Sequence, residues 1–208
     1  MKHLFIAAAA VAALASTPAA PAHASLIYTL TQDGCTNGCG PGPYGTITLS
    51  QGTNSSTVII TETLAAGVAF VKTGAGNALA FNILGDPTLT ISGLSAGFTV
   101  GPAPATASTF GTFDYSITCS GCGNGASNPL PGPLTFTTSD GSVLTPESFV
   151  ANRKGYFFAS DIIGTTGNTG NVAAIGNTQP PNPVPEPASM ALLAVGLFGF
   201  GMARRKRT

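Results

Sequence analysis

Residues 44–64, YGTITLSQGTNSSTVIITETL, contain two apolar–polar alternations separated by a short polar bend. In the first alternation Ile47 and Leu49 point one way, and the hydroxyl residues around them point the other. Successive side chains of a β-strand point to opposite faces, so this period of two predicts a half-buried strand. Gly52-Thr53-Asn54 supplies the bend, and the stretch as a whole predicts an antiparallel hairpin.

The same alternation recurs through the middle of the chain. It is present in DPTLTISGL (86–94) and in PLTFTTSDG (133–141), which ends in an Asp-Gly turn signal. In GTFDYSITC (111–119) one face is predicted to hold Phe113, Tyr115, Ile117 and Cys119. GYFFASDII (155–163) is apolar on both faces, which predicts a central strand or one that is covered on both faces.

Helix is sparse outside the two ends of the chain. Thr145 is a plausible N-cap and Pro146 fits the first helical position, so one or two turns are predicted there. Short strands with closely spaced Gly, Pro, Asn and Ser turns predict an all-β fold. We expect residues 25–178 to form an antiparallel β-sandwich of jelly-roll type, between an N-terminal signal helix and a C-terminal transmembrane helix.

The charges of the body exclude a nucleic-acid partner. Only 8% of the residues are charged, and residues 25–183 hold three basic side chains against seven acidic ones. Binding to nucleic acid needs a basic face, which this balance does not supply.

Residues 1–24 are predicted to be a signal peptide. Lys2 gives a positive start, Leu4–Leu14 is an apolar run, and Ala22-His23-Ala24 fits the cleavage pattern before Ser25. Signal peptidase and the export machinery are therefore expected partners. Cleavage removes both histidines, which excludes a Ser-His-Asp triad, a Cys-His pair and a His-ligated metal from the mature chain.

Four cysteines remain: Cys35, Cys39, Cys119 and Cys122. An even number in an exported protein predicts disulfides, but four cysteines allow three pairings. The close spacing favours two local bonds, while the crossed pairings would close longer loops. A zinc site of four thiolates and a redox C-x-x-C are less favoured, since export is oxidising and Cys119 follows a strand. We expect no metal and no cofactor.

The C-terminus combines three segments. Residues 179–187 hold five prolines and predict an extended spacer. Residues 188–208 predict a transmembrane helix with a basic tail, whose uncharged part of 16 residues spans roughly 24 Å, short of a bilayer core of about 30 Å. The basic stop that should stay cytoplasmic consists of Arg204, Arg205, Lys206 and Arg207.

Residues 184–208 resemble a known sorting signal. Pro185, Glu186 and Pro187 precede a short apolar helix that contains Gly196, Gly199 and Gly201, and the basic cluster follows. This order is similar to the PEP-CTERM signal of exosortase-dependent bacterial surface proteins. The resemblance implies that a membrane-embedded exosortase recognises the tripeptide and processes the tail, in a cell that makes exopolysaccharide.

Sites elsewhere have weak signatures. The aspartates are scattered and lie in no dense calcium-binding loop, and no local motif marks a catalytic acid or base. Tyr156, Phe157 and Phe158 could form a platform for stacking sugars, although aromatic residues more often fill a core.

These observations lead to an expected function and location. We expect a non-enzymatic surface or exopolysaccharide-matrix protein with exopolysaccharide as a partner. The alternatives are a carbohydrate-binding module at the envelope and an envelope glycoside hydrolase. The expected route is an inner-membrane intermediate with the body outside the cytoplasm, followed by the cell surface or extracellular matrix.

Overall fold

The computed structural model describes residues 25–74 and 77–178, whose regular secondary structure consists almost entirely of antiparallel strands. In chain order the strands are β1 (Ser25–Leu30), β2 (Gln32–Asp33), β3 (Gly45–Gln51), β4 (Thr57–Leu64), β5 (Ala69–Lys72), β6 (Asn77–Ile83), β7 (Thr90–Ser92), β8 (Phe98–Val100), β9 (Ala105–Ala107), β10 (Gly111–Phe113), β11 (Tyr115–Cys119), β12 (Gly125–Leu130), β13 (Leu134–Ser139), β14 (Phe149–Val150), β15 (Phe158–Ile163) and β16 (Thr169–Ala174).

Two sheets contain most of these strands. Sheet 1 has the order β1-β3-β4-β13-β7. Sheet 2 has the order β12-β5-β15-β6-β11-β8, with β14 paired to β6 and with β16 lying between β15 and β2. Strands β9 and β10 form a separate small hairpin.

The hairpin predicted from residues 44–64 is confirmed. Strands β3 and β4 pair antiparallel, with Leu49 opposite Ile60 and Thr48 opposite Thr61. At the bend the N–H of Gly52 donates to the carbonyl of Thr57 at 2.8 Å. Burial alternates along both strands because one face packs on the core and the other faces solvent.

One hydrophobic core takes side chains from both sheets. Phe136 of sheet 1 and Phe81 of sheet 2 lie with ring centroids 5.9 Å apart, and Tyr28 meets Phe158 at 4.9 Å. Burying a side chain of this size contributes about 1.5–3 kcal/mol. The sheets therefore pack face to face, while the jelly-roll connectivity stays a prediction.

Residues 111–119 differ from the sequence prediction because they form two strands. Strand β10 ends at Phe113 and β11 begins at Tyr115, since the N–H of Asp114 donates to the side-chain Oδ1 of Asn82 at 2.7 Å rather than to the backbone of a neighbouring strand. Phe113 then joins a second cluster with Phe110, on the other face of sheet 2 from the main core. The prediction that Phe113 shares a face with Ile117 is wrong.

The centre of sheet 2 agrees with the apolar signature of residues 155–163. Strand β15 has β16 on one side, and both β5 and β6 on the other. Strand β6 (NALAFNI), which the period of two does not reveal, is buried at every position. A strand covered on both faces has no polar face, so its sequence does not alternate.

Helix in the described residues is limited to one 3-10 turn at Pro146–Ser148, as predicted. The N–H of Thr145 donates to Ser148 Oγ at 3.1 Å and closes this turn. Within residues 25–74 and 77–178 no helix is long and apolar enough to cross a membrane. The predicted signal helix (1–24), the proline-rich spacer (179–187) and the predicted transmembrane helix (188–208) lie outside the described residues.

Candidate functional site

Both ends of the described chain meet at one edge of sheet 1. Ser25 begins edge strand β1, and the N–H of Thr178 donates to the carbonyl of Ile27 at 2.8 Å. Asn177 bridges to Tyr28 in antiparallel fashion, so the chain past residue 177 runs towards Ser25. The segments preceding residue 25 and following residue 178 therefore attach at the same end of the body.

The four cysteines form two local disulfides, Cys35–Cys39 and Cys119–Cys122, with Cα–Cα distances of 5.4 and 5.3 Å. This is the pairing that the spacing favoured. Sulfurs that are bonded to one another do not serve as thiolate ligands, so the structure does not support the zinc alternative.

Asp33 organises the loop of the first disulfide. Its Oδ1 accepts the N–H of Cys35 at 2.8 Å, and its Oδ2 accepts the N–H of Cys39 at 3.0 Å and the hydroxyl of Tyr44 at 2.9 Å. Burial acts to raise the pKa of Asp33, but these three hydrogen bonds outweigh it and hold the pKa below its usual value. Asp33 and the two cysteines thus form a hydrogen-bonded loop with a structural role, and the spacing of the cysteines did not reveal the part of Asp33 in it.

The main candidate for a binding site is a cleft of about 620 Å³, which lies in the size range of small-molecule sites. It combines the end of β6, the start of β10, the residue between β10 and β11, and the loop after β14. Its charged lining residues are Asp114, Arg153 and Lys154, which include two of the three basic side chains among residues 25–183.

Two asparagines shape this cleft. Asn82 is only 5% exposed, and its Oδ1 accepts the N–H of Asp114, while its Nδ2 makes no hydrogen bond within the described residues. Asn152 Oδ1 accepts the backbone N–H of Lys154 at 2.9 Å and of Tyr156 at 3.1 Å. Asn152 therefore fixes the loop, and Asn82 lines the cleft with an unused amide donor.

The backbone beside the cleft is strained at two non-glycine residues. Asp86 has φ of 46° and Thr109 has φ of 75°. Lys154 Nζ donates to the carbonyl of Thr109 at 3.0 Å, and Tyr115 donates its hydroxyl to Asp86 Oδ1 at 2.8 Å. Positive φ is unfavourable for a β-branched residue, and such strain clusters at functional sites.

Two of the scattered aspartates are brought near one another here. Burial raises the pKa of the Asp114 carboxyl, and the negative charge of Asp86 raises it further. Asp140 instead lies in the turn after β13, where it accepts the N–H of Ser142 at 2.8 Å.

Two carboxyl groups lie buried away from this cleft. Glu62 in β4 is fully buried, and neither carboxylate oxygen has a hydrogen-bond partner in the part of the chain that the structure describes. Burial raises its pKa to about 8, and the nearby Ser160 hydroxyl acts in the opposite direction. That hydroxyl donates to the carbonyl of Ala78 at 2.7 Å. Asp161 is held by the N–H and hydroxyl of Thr73, both at 2.6 Å, and burial raises its pKa to about 6.

Tyr156, Phe157 and Phe158 each pack against other aromatic rings, as the favoured interpretation of them as packing residues predicts, and do not form a platform for sugars. Phe158 is fully buried, Phe157 packs against Tyr28 at 5.2 Å, and Tyr156 packs against Phe110 at 4.8 Å. The three rings lie in different parts of the packing: Tyr156 contacts the second cluster around Phe110, whereas Phe157 and Phe158, the first residue of β15, contact the main core.

The sorting residues Pro185, Glu186 and Pro187 and the basic stop Arg204–Arg207 lie outside the described residues. A family model described as the PEP-CTERM protein-sorting motif matches residues 183–207. No curated protein and no solved structure matches the chain. The chain thus carries a PEP-CTERM sorting motif at its C-terminal end, and this motif supports an exported protein that is processed by an exosortase in the membrane.

Proposed function

We propose that this chain is a non-enzymatic protein of the cell surface or exopolysaccharide matrix, with a β-sandwich body of jelly-roll type. The observation that carries the proposal is the sorting motif at residues 183–207. In this account an exosortase recognises Pro185-Glu186-Pro187 and processes the tail after the body has been exported.

The position of the two ends of the body supports this route. Before cleavage, the signal peptide would join the body at Ser25 and the sorting segment would join it after Thr178, at the same end of β1. Both membrane segments would thus hold the body by one end, outside the cytoplasm. Six residues separate Thr178 from Pro185, which at about 3.1 Å per residue in extended polyproline geometry reach roughly 19 Å.

The carboxyl groups of the body support a non-enzymatic role. A glycoside hydrolase needs two carboxyl groups facing a substrate across a cleft. Glu62 is enclosed in the core, Asp161 is engaged by Thr73, and Asp33 clasps the disulfide loop. Asp114 lines the cleft, but Asp86 beside it accepts the hydroxyl of Tyr115.

The test compares processing of wild type with a variant that has Pro185→Ala, Glu186→Ala and Pro187→Ala. We expect the variant to accumulate unprocessed in the inner membrane, as wild type should in cells that lack the exosortase. The control carries Gln179→Ala and Asn182→Ala in the same spacer and should be processed normally. Equal processing of the triple variant and wild type would refute the proposed route.

A second candidate function, a carbohydrate-binding module, is favoured by the cleft. Its free Asn82 amide, the Asp114 carboxyl and the two cations offer the mixed donors and acceptors that fit a single sugar unit. Binding on a glycan array that is lost in Arg153→Ala, and kept in Lys72→Ala on the exposed end of β5, would support it. Equal binding by both variants would show that the cleft does not bind the sugar.

A further inference from the structure

The outer face of sheet 1 is covered with hydroxyl groups. The positions that face away from the core are every second residue from Ser25 to Thr29, from Thr46 to Ser50, from Thr57 to Thr63 and from Thr135 to Ser139, together with Thr90 and Ser92. All of them are Ser or Thr except Ile27 and Ile59, and none is charged. The residues between them, such as Ile47, Ile60 and Phe136, lie in the core.

Strand pairing arranges these hydroxyls in rows across the sheet. Thr48 lies opposite Thr61, which lies opposite Thr135, and this set is the central row. A parallel row runs from Thr29 through Thr46 to Thr63. Neighbouring strands are about 4.7–4.9 Å apart, so each row repeats a hydroxyl and a methyl group at that interval.

Most of this hydrogen-bonding capacity is unused. In the central row Thr61 and Thr135 share one hydrogen bond at 3.2 Å. Thr46, Thr48 and Thr137 make no side-chain hydrogen bond within the described residues. Because each hydroxyl offers one donor and two acceptors, the face can donate and accept at many points.

The chemistry of the face restricts the class of partner that it can bind. An acidic polymer or an anionic membrane needs cations, and this face has none. Protein interfaces are enriched in aromatic residues, Met and Arg and are depleted in Ser, which is the opposite of this composition. An uncharged polymer that carries many hydroxyls matches both the absence of charge and the capacity to donate and accept.

We propose that the outer face of sheet 1 binds a neutral polysaccharide chain that lies across the strands. The inference rests on the proposed function, since it names the matrix component that this protein would contact. Each hydroxyl contact is weak, but many contacts to one polymer add up through avidity. Thr178 reaches the same sheet, where its hydroxyl lies 3.0 Å from that of Thr29, so the binding face and the spacer share one edge.

The test uses the mature exported protein in affinity electrophoresis with three neutral polymers, hydroxyethyl cellulose, dextran and galactomannan, and with acidic alginate. One variant carries Thr48→Val, Thr61→Val and Thr135→Val, which keeps shape and strand propensity and removes only the hydroxyls. A matched variant carries Ser at the same positions and keeps the hydroxyls. We expect wild type and the Ser variant to be retarded by at least one neutral polymer, and the Val variant to bind about tenfold more weakly.

Several results would overturn the inference: no retardation of wild type by any neutral polymer, equal binding by the Val variant, or stronger retardation by alginate. Loss of binding in Arg153→Ala with the Val variant unaffected would assign the sugar to the cleft instead. Processing and export of each variant are measured separately. A Val variant that is exported but does not bind the polymer supports the outer face of sheet 1 as the binding site. Wild type that is not processed refutes the proposed function.

Discussion

The backbone N–H of Thr178 lies 2.8 Å from the carbonyl oxygen of Ile27, so the last described residue has begun to pair with edge strand β1. In this antiparallel register the next donor facing β1 would come from residue 180, opposite Ser25. Residue 180 is proline, which has no N–H, and Pro181 follows it. The sequence therefore supplies no N–H donor at residues 180 and 181 for a further hydrogen bond to β1.

Introducing backbone N–H donors at residues 180 and 181 should slow processing by the exosortase. In Pro180→Thr with Pro181→Thr the segment can pair further along β1, and we expect this to draw Pro185-Glu186-Pro187 towards the body and slow its processing. Pulse-chase labelling gives the ratio of precursor to processed protein over time. Asn182→Thr, which adds no donor, should be processed like wild type; equal rates for all three proteins would contradict this account of the spacer.

Glu62 should make stability depend on pH. Its pKa rises from about 4.3 in the unfolded chain to about 8 in the fold, so the unfolded state ionises first as the pH rises. Between these two pKa values the folded state keeps the proton that the unfolded state has lost. The free energy of unfolding is therefore highest at low pH and falls by roughly 1.4 kcal/mol per pH unit between them. We expect Glu62→Gln to flatten this decline and to raise the urea midpoint most at pH 8.

The control for this prediction is Glu147→Gln, which alters an exposed carboxylate in the 3-10 turn. Asp161 titrates in the same direction between its usual value and about 6, so some decline below pH 6 should remain in Glu62→Gln. An unchanged pH profile in Glu62→Gln between pH 6 and pH 8 would show that the carboxyl group is not enclosed as described.

Asp33 should protect the first disulfide. Asp33→Ala removes the acceptor that holds the N–H groups of Cys35 and Cys39 and the hydroxyl of Tyr44. We expect the loop to open more often, so that dithiothreitol reduces Cys35–Cys39 several-fold faster, as measured by alkylation and mass spectrometry. Cys119–Cys122 in the same molecule is the internal control, and an equal acceleration of both bonds would indicate global unfolding instead.

The sequence predicts features that depend on neighbouring positions. The hairpin of β3 and β4 was predictable because one face is buried, and the sorting motif because it is read along the chain. The same alternation places Glu62 on the buried face of β4, which is a sequence signal for an enclosed carboxyl group. Strand β6 was missed because both of its faces are covered.

Features made by distant residues were not predictable. The alternation of residues 111–119 continues through Asp114, but a hydrogen bond to Asn82, distant in sequence, ends the strand there. The cleft joins Asn82, Asp114 and the loop at Asn152, and no local motif marks any of them. The two rows of hydroxyls likewise require the register of four strands, which only the folded sheets supply.

The most direct test of the central claim is mass spectrometry of the terminal peptides in fractionated cells. The account predicts that the surface or matrix form begins at Ser25 and lacks the apolar segment within residues 188–208, whereas the inner-membrane form retains it. The same segment should be retained throughout in cells without the exosortase. A surface form that still carries residues 188–208 in exosortase-containing cells would contradict the account.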